Sequence, residues 1–119
     1  MQTKIFLAAL IISSFLVSNV SVAAESADIS AAEAKAKTSI DHIKLAEYYE
    51  NEVKALRAKM EEEKKILDEY ENHSYYYGPE GQLYQSHHEA LLREYEKAAE
   101  RNMEMAASHR KMAERVKRL

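Results

Sequence analysis

Residues 72–81, NHSYYYGPEG, hold both glycines and the single proline of the 119-residue chain. Gly-Pro is among the strongest local turn signals, and long runs without a breaker stand on either side of it. The spacing therefore predicts one helix, a reversal and a second helix. The predicted fold is all-α, a long antiparallel two-helix hairpin of coiled-coil-like character.

Upstream, Met1 to Lys4 form a short charged start, and Ile5 to Val22 is an apolar run carrying scattered Ser and Asn. It closes on Val22-Ala23-Ala24 before Glu25, the small-residue pattern of a cleavable secretory signal. Residues 1–24 are read as a signal peptide, with an exported mature chain starting near Glu25 and no stable membrane insertion after cleavage. The chain has no cysteine, so disulfides and thiolate metal sites are excluded. Its formal charge of -3 lacks the basic field that phosphate neutralisation needs, and a nucleic-acid partner is not expected. The basic tail, Arg110, Lys111, Arg115, Lys117 and Arg118, suits the negative end of a helix dipole.

Residues 25–37 are alanine-rich with Ile29 as their only bulky apolar side chain, and are read as a flexible lead-in. Thr38 and Asp41 then have capping-box spacing, which starts a first helix over 39–71, in a hairpin domain spanning 38–119. His42, Ala46, Tyr49, Val53, Leu56, Met60, Glu63, Leu67 and Tyr70 alternate at spacings of four and three, a sustained heptad seam. The second helix, 82–117, repeats the pattern in His88, Leu92, Tyr95, Ala99, Asn102, Ala106, His109, Ala113 and Val116. Beside it Leu91, Ala98, Met105 and Met112 form a second column, a stripe wider than one neighbouring helix covers. A homodimer of hairpins, making a four-helix bundle, is the expected remedy.

Polar residues interrupt the seam at His42, Glu63, His88, Asn102 and His109. A reversal centred between Tyr75 and Tyr76 sets His42 opposite His109, Glu63 opposite His88, and Tyr49 opposite Asn102. Two readings stand. In one, these groups hydrogen-bond to each other and fix register, while methionine fills gaps. In the other they bind metal: His42, Met105, His109 and Met112 form a thioether–imidazole set suited to copper, and Met60, Glu63 and His88 a mixed set open to zinc or copper. Neither Glu-x-x-His pairs nor His-Glu-x-x-His occurs, and no nucleophile or glycine-rich phosphate loop emerges, so an enzyme is not expected. Tyr75, Tyr76 and Tyr77 cannot all turn inward at a hairpin tip, so one or two are expected to be exposed as a candidate surface for a protein partner, a glycan or a membrane interface; the alternative is folding back over the helix ends against Gln82, Leu83 and Tyr84.

The segment HIKLAEYYE at His42 to Glu50, echoed by HEALLREYE at His88 to Glu96, resembles a pattern in small exported bacterial helical-hairpin proteins. That resemblance implies a Gram-negative periplasmic setting and transfers no activity. Where those proteins carry His late in the first helix, this chain has Glu63. The expected function is non-enzymatic, by self-association and macromolecular binding. A copper or zinc buffer and a holdase-type chaperone are the alternatives.

Overall fold

The breaker-free runs are helical in the computed structural model, which describes residues 18–119, with side chains from residue 27 onward. Helix α1 is Ser18–Lys35, α2 is Ser39–Asn72 and α3 is Gly81–Arg118. Two short 3-10 turns, Ser74–Tyr76 and Gly78–Glu80, join α2 to α3. Among the described residues there is no strand, and no helix is long and apolar enough to cross a membrane.

The chain divides into two units at Ala34 and Lys35. Most of the expected leader lies outside the described residues. The expected cleavage point near Glu25 falls within α1, whose backbone stays helical through most of the predicted lead-in. Alanine supplies enough propensity for that without a face to bury.

In the second unit, Thr38 starts α2 with a complete capping box. The Asp41 amide donates to Thr38 Oγ1 at 3.1 Å, and the Thr38 amide donates to Asp41 Oδ2 at 2.9 Å. The Lys37 amide reaches the same Oδ2 at 3.1 Å. The Thr38 amide first, then Lys37 and the Thr38 hydroxyl, lower the Asp41 pKa to about 2.

The reversal is built from tyrosine and glycine. At the end of α2 the His73 amide donates to Glu69 O at 3.1 Å and Tyr70 O at 3.3 Å. Gly78 has φ 59°, a left-handed conformation that costs a side-chain-bearing residue about 1–2 kcal/mol. Gly81 is needed for a different reason. A Cβ there would lie 2.9 Å from the Tyr70 hydroxyl and 3.2 Å from Tyr77 Cβ. Tyr70, Tyr77 and Tyr84 pack over this bare backbone, with ring centroids 4.9–6.0 Å apart, and tie the end of α2 to the start of α3.

From there the arms run antiparallel. The buried apolar residues are Leu45, Ala46, Val53, Ala99, Ala106 and Ala113, so α3 meets α2 mainly through alanine. Small seam residues let the two backbones approach closely. The consequence is a thin core: no large side chain is fully enclosed among the described residues.

Two outcomes test this account. Gly81→Ala should lower the urea midpoint of the hairpin because the Tyr70 hydroxyl must move, whereas Tyr75→Ala, at an exposed position, should shift stability by no more than about 0.5 kcal/mol. Asp41 has a depressed pKa, so its contribution is complete above its ordinary value of 3.8 and is lost as pH falls towards 2. The amide resonances of Lys37 and Thr38 should therefore move between pH about 4 and about 2, and this shift should vanish in Asp41→Asn.

Candidate functional site

Antiparallel closure brings the seam's polar residues together in two pairs. His42 on α2 and His109 on α3 meet with their Nδ1 atoms 3.1 Å apart, and both are buried. Their rings lie 25° from parallel with centroids 5.4 Å apart, and the Tyr49 ring lies almost parallel to His109, at 6° and 5.8 Å. At this separation one Nδ1 donates and the other accepts, so the two imidazoles take opposite tautomers. Capping geometry adjoins His42 in sequence at Asp41. On the other arm, Arg110 follows His109 and grips Glu50 with a two-pronged fork, Nε to Oε1 at 3.1 Å and Nη2 to Oε2 at 2.9 Å.

That fork was not predicted. The charge pattern points to a Glu50–Lys54 pair one turn apart; Lys54 does act on Glu50, but the hydrogen bonds of Glu50 run across to Arg110 on the other arm. Both Glu50 and Arg110 flank the seam, where long charged side chains of two antiparallel helices can meet, and a planar guanidinium matches a carboxylate better than an ammonium does. The Arg110 hydrogen bond lowers the Glu50 pKa and raises that of Arg110. Beside the fork lies a shallow groove of about 420 Å³, lined by Val53, Arg57, Met103 and Ala106 among others, in which Arg57 Nη2 stands 3.6 Å from Met103 Sδ.

Nearer the tip, His88 Nδ1 lies 2.6 Å from Glu63 Oε2, with Glu63 buried and His88 half-buried. The Tyr84 ring covers His88 at 4.5 Å, linking this pair to the tyrosine cluster of the turn. Met60, the third member of the predicted second metal set, is half-buried on α2. The Tyr49 ring lies against His109 of the other arm, and Asn102 Nδ2 donates to Ala98 O one turn back at 2.7 Å.

Met105 and Met112, predicted beside His109, are exposed at 37% and 39%. They stand one turn before and one turn after it on α3. Among the described residues, no group of three or more His, Cys, Asp or Glu assembles as a metal-holding cluster. A conventional zinc centre of three such ligands is therefore not built by the described part of one chain.

The three consecutive tyrosines part company. Tyr75 and Tyr76 are 71% and 73% exposed and pack on each other, with centroids 4.3 Å apart. Tyr77, expected with them at the partner surface, is half-buried in the cluster with Tyr70 and Tyr84. Burial first, then Tyr84, pushes its phenol pKa up. Of the α3 residues expected to pack on the tyrosines, Tyr84 does so, whereas Leu83 is 75% exposed beside Tyr77 and Tyr84.

The Glu63–His88 pair sets up a double-substitution test. His88→Leu should cost about 2–3 kcal/mol, because a buried carboxylate loses its imidazole, whereas Glu63→Leu with His88→Leu should recover most of that loss. Urea unfolding of the two single variants and the double variant measures the coupling. Simple additivity would show that the two residues do not act as a unit. No family model, curated protein or solved structure matches this chain.

Proposed function

We propose that this protein is a non-enzymatic, exported helical hairpin that works by associating with a second copy and presenting its tip to another macromolecule. The observation that carries the reading is the incomplete burial of the second column on α3. Leu91 and Ala98 are half-buried, while Met105 and Met112 remain exposed. A single partner helix leaves this flank wet. A second hairpin laid along it makes the four-helix bundle that the width of the stripe calls for.

Magnitudes decide what kind of assembly to expect. Full burial of a Leu or Met side chain is worth about 1.5–3 kcal/mol, and these are already partly covered, so each gains roughly half of that. Leu91, Met105 and Met112 on both copies together reach about 4.5–9 kcal/mol, within the lower half of the association cost of about 4–15 kcal/mol. The dimer is therefore concentration-dependent rather than obligate. Tyr75, Tyr76 and Leu83 stay outside that contact as the apolar surface for a protein partner.

Sedimentation equilibrium across micromolar concentrations is the decisive measurement. A monomer–dimer equilibrium that Met105→Glu with Met112→Glu abolishes, while helicity is kept, is the expected outcome. A monomer at every concentration would end the self-association reading. Tyr75→Ser with Tyr76→Ser should leave the equilibrium unchanged.

A further inference from the structure

The pairing of His42 with His109 supports more than a hydrogen bond. Two ring nitrogens, one from each arm, converge at 3.1 Å in a buried position. Two imidazole nitrogens on one tetrahedral metal, each at about 2.0–2.1 Å, stand about 3.4 Å apart. Separating the observed pair by a few tenths of an ångström, with a tilt of the two rings towards a common point, would admit an ion. The shared proton need not leave the protein: it moves from Nδ1 to Nε2 of the same ring, freeing both Nδ1 lone pairs.

We propose that His42 Nδ1 and His109 Nδ1 form the core of a site for monovalent copper, completed from the open side of α3 by the thioethers of Met105 and Met112. Donor chemistry selects the metal. Thioether with imidazole is a soft, neutral set, which favours Cu(I) over harder divalent ions. Charge points the same way. The one acid that adjoins the pair in sequence, Asp41, is engaged in the capping box, and Glu50, which reaches the arm of His109, is taken up by Arg110. A divalent ion would keep its full charge in a buried place, and the desolvation cost grows steeply with charge, so a neutral set with thioethers favours a monovalent ion.

The surroundings are arranged to hold the two rings in place. Tyr49 stacks on His109, and the Glu50–Arg110 fork locks the arms one residue further along each helix. Glu50 and Arg110 are therefore positioning residues for the site. By contrast Glu63 and His88 already form a carboxylate–imidazole pair at 2.6 Å that holds register, and they take no part in the copper site. Nor does it depend on self-association, since all four donors belong to one chain.

The test uses the full chain with Cu(I) under anaerobic reducing conditions, against a chromophoric chelator, with Zn(II) as a parallel arm. About one equivalent of Cu(I) per chain should be retained, and X-ray absorption should show both nitrogen and sulfur scatterers. Ring ¹⁵N resonances of two histidines should shift at Nδ1. His109→Asn should weaken retention at least about tenfold. Met105→Leu with Met112→Leu, at exposed positions that do not threaten folding, should weaken it too and remove the sulfur signal. Glu50→Gln should weaken it no more than about fivefold, without changing the ligand set.

Cu(I) held as tightly by His109→Asn as by the parent chain, or no Nδ1 shift on adding copper, would overturn the site. Unchanged affinity in the methionine double variant would overturn the thioether contribution. Zinc retained as well as copper would overturn the preference for a monovalent ion.

Discussion

Close approach of the two arms along alanine is the constraint on which the rest of this structure depends. Ala46 on α2 and Ala99, Ala106 and Ala113 on α3 are buried, and they keep the inter-helix space too thin for a layer of large side chains. That thinness has two effects. Imidazoles and a carboxylate from opposite arms come into direct contact, and bulkier residues are displaced to the flanks, where they remain partly wet. The buried polar pairs and the unfinished apolar stripe therefore have the same physical origin.

At the two ends the arms are tied by different chemistry. The turn end relies on aromatic packing over a bare glycine, in which Tyr70, Tyr77 and Tyr84 close on the space that a side chain at Gly81 would occupy. The open end relies on charge and capping: Thr38 with Asp41 at the start of α2, and the Glu50–Arg110 fork across the arms. Exposed ion pairs add little stability on their own, but a two-pronged fork constrains geometry. Its location one residue from His109 matters more than its strength, because it holds that imidazole against the one from the other arm.

The two buried pairs differ in what they can do. Glu63 with His88 joins an acid to a base and is complete as it stands, a suitable device for fixing register. His42 with His109 joins two bases across a single proton and contains no acid. Only the second presents two lone pairs to a common point once the proton has moved. Met105 and Met112 stand one turn to either side of His109 on α3, and in the proposed site they supply the soft donors.

Much of this was legible in the residues. Gly78, Pro79 and Gly81 located the reversal, Thr38 and Asp41 marked the start of α2, and heptad spacing picked out the inward positions, because these signals act within a turn or two of chain. Even the pairing of His42 with His109 and of Glu63 with His88 followed from placing the centre of the reversal between Tyr75 and Tyr76. What needed the tertiary structure was everything set by the shape of the packed arms: that Glu50 hydrogen-bonds Arg110 across the arms, that Tyr77 folds inward while Tyr75 and Tyr76 face solvent, and that the Tyr49 ring lies parallel to that of His109. Periodicity assigns a residue to a face, but the direction its side chain takes depends on the space left by neighbours on the other arm. That space exists only once the arms have closed.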